Sequence, residues 1–310
     1  MSQQLFFCSE LSRNAGEQIF GTASTGELWL LVEYAHPWGA RALESSALPP
    51  RVKSHLNALL KTIPRSRLLF IKRSACRETF NFFVVRARER RPYAVRLELG
   101  SYDELIGVDV ASVAAGDSLA GGALTRDPFY LVCTHGKRDK CCAKFGNVVY
   151  SSLSERVGAS AWRASHVGGD RFAANVVCFP HGLFYGRVDD DSASRIASEY
   201  AQGRIVLENF RGRACHPHPA QAAECFVRAE AGLTRLDDLR LASSRRAGEM
   251  TWRVRFDAPG GKVYEALVTS RVSEFRTFIT CKANEPKPAA SFFLDDLRAL
   301  DADAAGEQTG

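Results

Sequence analysis

Apolar residues fall in short, dense runs separated by polar, glycine-bearing or proline-bearing links, and the runs alternate between two periods. GELWLLVEY predicts a strand. After a loop holding Pro37 and Gly39 comes PPRVKSHLNALLKTI, whose apolar residues recur at helical spacing. RLLFIKR, FNFFVVRAR and YAVRLEL predict three more strands, with RERRPY as the turn between the last two. The first block therefore runs strand, helix, strand, strand, strand.

AAGDSLAGGAL, rich in small residues, marks a boundary over 112–124, and the same order then recurs. FYLVCT predicts a strand, HGKRD a loop, KCCAKFGNVVYSSLSERV a helix and SAWRASH a second strand. NVVCFP and LFYGRV flank a turn at His181 and Gly182, and DSASRIASEYAQG is a helix with an aspartate cap region. The recurrence suggests an internal duplication in an α/β fold, each copy close to the thioredoxin arrangement of strand-helix motifs around one sheet. Beyond residue 204 the signals weaken to a helix around AQAAECFVRAEAG and a hairpin, MTWRVRFDAPGGKVYEALVTS, turning at Pro259, Gly260 and Gly261. The expected organisation is two tandem thioredoxin-like units with an appended C-terminal α+β subdomain. Residues 1–120 form a degenerate unit without ligands, 125–205 the unit with the candidate site, 206–300 the C-terminal subdomain and 301–310 a disordered tail.

Composition narrows the classes. With 310 residues, 45% of them hydrophobic and 25% charged, the chain can bury a core and divide into domains. MSQQLFFCSELSRN lacks the basic start and apolar run of a signal peptide, so a cytoplasmic location is expected. No apolar run approaches the roughly 18 residues needed to span a bilayer. The net charge of +6 comes from arginines spread along the chain, which identifies neither a nucleic-acid nor a membrane partner, and none is expected. Nine cysteines, an odd number without an export signal, argue for reduced thiols and against a disulfide framework.

Cys133, Cys141 and Cys142 lie in CTHGKRDKCC, where a strand end, Gly136 and a helix start would bend the chain enough to aim two thiolates at one point. The helix N-terminus, Lys137, Arg138 and Lys140 would stabilise the negative charge. In HVGGDRFAAN, His166 and Asp170 bracket the turn at Gly168 and Gly169, so an imidazole and a carboxylate can enter the same cavity. Cys215-His216-Pro217-His218 is too tightly spaced for a closed tetrahedral site and reads as a polar loop before a helix. Cys8, Cys76, Cys225 and Cys281 stand isolated, and each is expected to be a small buried side chain. GDSLAGG lacks the Lys-Ser or Lys-Thr pair of a phosphate-binding loop.

CTHGKRD with a Cys-x8-Cys pair, then HVGGDRFAAN and FYGRV, resembles the sucrase/ferredoxin-like family, a branch of the thioredoxin-like ferredoxins. The resemblance covers residues 129–188 and extends weakly over the first block through FCSELSR and the WLLVEY strand. It implies a 2Fe-2S cluster with Cys133 and Cys142 as ligands and two further ligands from an x3-spaced pair. The family pair is His-x3-His, and related ferredoxins use Cys-x3-Cys; here the second position is Asp170. His166 is then the third ligand, and Asp170, Cys141 and Cys178 are the candidates for the fourth, with Asp170 favoured on position. Two thiolates with one carboxylate carry less negative charge than four thiolates, so the potential is expected above that of ordinary ferredoxins and below that of a site with two imidazoles. Arg138 and Arg171 would raise it further, and an exposed second nitrogen on His166 would couple it to pH. The expected function is non-enzymatic electron transfer between a protein donor and a protein acceptor. Two alternatives remain: a thiol-disulfide oxidoreductase using Cys141 or Cys142, and a structural zinc module on the same ligands.

Overall fold

The structure is a computed structural model that describes residues 6–73 and 78–301. Cys76 and the tail beyond Asp301 lie outside the described residues. After a short helix α1 (Cys8–Asn14) the chain forms β1 (Leu28–Glu33), α2 (Pro50–Thr62), β2 (Ser66–Lys72), β3 (Phe80–Arg86) and β4 (Tyr93–Leu99). A small helix α3 (Val110–Ala115) and a three-residue strand β5 (Ala123–Thr125) occupy the stretch expected to be a linker. The order then repeats in β6 (Phe129–Cys133), α4 (Lys140–Val157), β7 (Ala161–Ala164), β8 (Val176–Phe179) and β9 (Leu183–Tyr185), followed by α5 (Asp190–Ala201). β10 (Phe210–Arg213), α6 (His218–Ala231), β11 (Arg240–Arg246), β12 (Thr251–Ala258), β13 (Lys262–Thr277) and β14 (Lys287–Asp301) complete the chain.

Ten strands form one mixed sheet in the order β10-β9-β8-β6-β7-β2-β1-β3-β4-β5. Within it β1 runs parallel to β2 and antiparallel to β3, which pairs antiparallel with β4. β6, β7, β8 and β9 reproduce each of these relations. The halves meet edge to edge where β2 and β7 pair antiparallel, Ile71 opposite Ala164 and Lys72 opposite Arg163. Every residue of β1 and β6 is buried, because both faces of the sheet are covered. Leu28, Leu30 and Val32 face the cluster beneath α2, and Trp29 and Leu31 join Leu131, Cys133 and Phe179 on the other side, a core shared by the two halves.

A second, four-stranded antiparallel sheet, β11-β12-β13-β14, packs its apolar face on α6. The hairpin predicted around Pro259 to Gly261 is present, but β13 runs on past Ser270 to Thr277 and pairs with a strand the sequence did not announce, β14. β14 carries little strand signal in the sequence, because much of it is exposed and it lacks strict alternation. Phe210–Arg213, which lies beyond residue 206, is an edge strand of the large sheet, pairing with β9. Among the described residues no helix is long and apolar enough to cross a membrane.

Candidate metal centre

β6 ends at Cys133, and the backbone N–H of Cys133 donates to the Asn175 carbonyl at 3.0 Å as the strand leaves the ladder. The loop then turns on the His135 carbonyl, which accepts from the N–H groups of Arg138 and Asp139. Asp139 caps α4, its Oδ1 accepting from the Cys141 N–H at 2.8 Å, so Cys141 and Cys142 fall in the first helical turn. Gly146, one turn on, lets α4 descend onto β6: a Cβ there would fall inside the Cys133 carbonyl oxygen. This close approach brings the Cys142 thiol to the strand end.

His166 follows β7, and its backbone N–H donates to His135 Nδ1 at 3.2 Å. His135 therefore carries its proton on Nε2, which donates to the Gly39 carbonyl at 2.7 Å. Gly39 belongs to the cysteine-free loop after β1, so the first half of the sheet supports the candidate site in the second. Gly168 and Gly169, with φ of +98° and +84°, turn the chain from His166 to Asp170. Beneath them lies a fully buried arginine. Arg211 donates from Nη1 to the Gly168 carbonyl at 2.9 Å and to Asn175 Oδ1 at 2.8 Å, and from Nη2 to the Thr22 carbonyl at 2.5 Å.

The ligand atoms of Cys133, Cys142 and His166 all lie within 4.8 Å of one another. Asp170 completes the group: its Oδ1 accepts from the Cys142 thiol at 3.3 Å and lies 3.0 Å from His166 Nδ1. That imidazole nitrogen is buried, and its contact with Asp170 is an ion pair rather than an aligned hydrogen bond. The Cys142 S–H pulls the Cys133 thiol well below its ordinary range against the effect of burial, with help from His166. Cys142 rises correspondingly, because the Cys133 thiolate, burial and Asp170 all oppose a second negative charge. Burial works against an imidazolium at His166, but Asp170 and Cys133 outweigh it and raise the ring to about 9. The cysteines and Asp170 are buried, while the His166 side chain retains 26% exposure and opens on a cleft of ≈ 320 Å³ between the halves, lined in part by Arg41, Glu44, His135 and Arg138.

Of the other candidates for a fourth ligand, Cys178 packs on the opposite face of the sheet among Tyr130, Val176 and Leu183. Cys141 turns away from Cys142. Its sulfur lies 3.6 Å from that of Cys8 and 3.3 Å from that of Cys281, so the reading of Cys8 and Cys281 as isolated small side chains is corrected. Residues separated by 273 positions meet here, and spacing in a sequence carries no trace of such a meeting. Arg171 is spent on Glu17 at 2.6 Å, and Arg138 is exposed. The cation that lies under the site is Arg211, and its sequence signal is an arginine within the short strand FRGR. His216 is held by Glu89 at 2.8 Å and Glu224 at 3.1 Å in a buried ionic group with Arg213 and Arg228, which accounts for it without a metal.

The sucrase/ferredoxin-like family model matches residues 19–212. Curated relatives carry the name "Altered inheritance of mitochondria protein 32". The protein of Candida glabrata is 27% identical over 144 residues, 39% of this chain and 46% of the relative; that of Meyerozyma guilliermondii is 30% identical over 97 residues, 28% and 34%; that of Debaryomyces hansenii is 33% identical over 93 residues, 26% and 34%. The matches thus span less than half the length of these relatives. No solved structure matches.

Proposed function

From the premise that this chain belongs to the sucrase/ferredoxin-like family, we propose that it is an electron-transfer protein holding a 2Fe-2S cluster in the second of two tandem thioredoxin-like units. One observation carries the reading: two thiols, an imidazole and a carboxylate from three separate segments converge in a buried pocket. The donor set fits such a group. The Cys142 S–H already draws Cys133 toward the thiolate and Cys142 itself bonds Asp170, so both can become thiolate ligands, and the buried imidazole paired with Asp170 can become the third on losing its proton.

A bound 2Fe-2S cluster supplies reversible uptake of a single electron. Cys133 and Cys142 contribute thiolates, His166 an imidazole nitrogen, and Asp170 the fourth donor. Arg211 sets a fixed positive charge beneath the pocket, which favours an added electron. His135 and Gly39 fix the backbone of His166, and the partial exposure of His166 makes the cleft beside it the route to a protein donor or acceptor. No group in this account forms a covalent bond to a substrate, so the role is that of a carrier rather than an enzyme. A disulfide between the adjacent Cys141 and Cys142 draws no support from the geometry, because the two point into different clusters.

A structural zinc module on the same residues is favoured by the compactness of the group, whose ligand atoms are close enough to share one ion. Metal and acid-labile sulfide analysis of anaerobically purified protein separates the two. The cluster reading predicts red-brown protein with about two irons and two sulfides per chain, lost in Cys133→Ser and Cys142→Ser and spectrally altered in Asp170→Ala. Colourless protein with zinc on Cys133 and Cys142 overturns it.

A further inference from the structure

Cys8 at the start of α1, Cys141 in the first turn of α4 and Cys281 between β13 and β14 bring their sulfurs into a near-equilateral triangle with edges of 3.6, 3.3 and 3.5 Å. Asp139 Oδ2 stands 4.0 Å from Cys8 Sγ, and all four ligand atoms lie within 4.8 Å of one another. We propose that these four residues form a second metal site that binds one zinc ion, distinct from the centre at Cys133 and Cys142.

The dimensions select a single ion. Zinc-thiolate bonds of about 2.3 Å in a tetrahedron place the sulfurs roughly 3.8 Å apart, so the triangle needs to open only slightly. A polynuclear cluster would distribute three thiolates over at least two metals and spread them further. The hard carboxylate beside three soft thiolates favours zinc over monovalent copper, which prefers sulfur alone.

The surroundings resemble the outer shell of a ligand set. Ser9 Oγ donates to Cys141 Sγ at 3.2 Å, and the Cys8 N–H donates to Cys281 Sγ at 3.4 Å. Asp139 is held by the N–H of Cys141 at 2.8 Å and of Cys281 at 2.6 Å, and by Thr280 Oγ1 at 2.6 Å. Cys8 and Cys141 are fully buried, whereas Cys281 is partly exposed and marks the side of entry. Binding displaces thiol protons to solvent and leaves the metal with three thiolates and one carboxylate.

Such a site would clip the N-terminal segment and the C-terminal hairpin onto the start of α4. Because Cys141 and Cys142 are adjacent, it would also fix the helical turn that presents Cys142 to the other centre.

The test uses the full-length chain, reduced and freed of metal, titrated with Co²⁺ and then Zn²⁺. About one equivalent of cobalt is expected to give the thiolate charge-transfer and visible bands of a tetrahedral site in a Cys133→Ser/Cys142→Ser background, and zinc to displace it. Those bands should be lost in Cys8→Ser and in Cys281→Ser made in the same background. Alkylation followed by mass spectrometry of the unsubstituted chain reads the site without those variants: bound zinc is expected to protect Cys8, Cys141 and Cys281 together, with release by a chelator. Three outcomes would overturn the proposal: no cobalt bands in the double-serine background, equal alkylation of the three thiols with and without zinc, or a disulfide among them in protein purified under reductant.

Discussion

The two halves of the large sheet share a strand order and part company at one corner. By register, Glu33 at the end of β1 occupies the place of Cys133 at the end of β6, and Asn81 that of Asn175. Counting from the helix starts, Val52 corresponds to Cys142 and Leu56 to Gly146. Two residues beyond the paired Ile71 and Ala164, Arg73 corresponds to His166. In the first half, Glu33 accepts from the Asn81 backbone N–H at 2.9 Å and from its side chain, Asn81 is held by Arg96, and Val52 and Leu56 are core residues. In the second half an arginine again holds the asparagine, but a glycine lets the helix close on thiols. The topology fixes where a strand end, a helix start and a following turn meet; a few substitutions decide whether that corner is filled with carboxylate and hydrocarbon or with thiols and an imidazole.

Importing the first half's bulk at Gly146 breaks the contrast most completely. Gly146→Ala places a methyl group against the Cys133 carbonyl, a backbone atom that cannot step aside, so α4 must lift. A loss of about 3 kcal/mol is expected, at the upper end for overpacking, together with loss of the metal centre; denaturant unfolding and metal analysis read both.

Acid sharpens the comparison next. His181, in the turn joining β8 and β9, is pushed down to about 4 by burial and then by Arg213, whereas the corresponding turn of the first half carries arginines and no histidine. An unfolded imidazole titrates near 6.5. The stability gained by keeping His181 neutral is therefore present above about pH 6.5 and lost as pH falls toward 4, by about 2 kcal/mol once its partial exposure is discounted. Unfolding curves of His181→Gln over that interval are expected to be flatter by this amount.

Glu33→Ala is expected to cost about 1 to 2 kcal/mol, because it strands the buried donors of Asn81, while leaving metal content unchanged. A matching loss of metal would show that the first half does more than support His135 through Gly39. The smallest effect on the centre itself concerns Arg211: Arg211→Met, which also loses stability because the acceptors it holds are stranded, is expected to lower the midpoint potential by roughly 60 mV, a tenfold change for one electron, whereas Arg211→Lys retains most of it. Voltammetry of the two variants checks this.

Much of the large sheet was legible because its strands are short apolar runs whose order repeats, and CTHGKRDKCC with HVGGD announced donor-rich turns. Three kinds of information were not. Gly146 reads as an ordinary helical residue until the strand beneath it is known. Arg211 carries a charge that a sequence assigns to the surface, yet it is buried under Gly169. Cys8 and Cys281 meet Cys141 only because the β13-β14 hairpin reaches back to the N-terminal segment, a long-range contact between stretches with no shared pattern.

In the proposed carrier the second half alone holds an electron-accepting centre on two thiolates, one imidazole and one carboxylate. Electron-nuclear double resonance on the reduced, ¹⁵N-labelled protein tests it most directly. The expected result is a paramagnetic centre of total spin one-half with a strongly coupled nitrogen from a single histidine, absent in His166→Ala. A reduced protein with no such signal, or with a signal lacking any strongly coupled nitrogen, would contradict it.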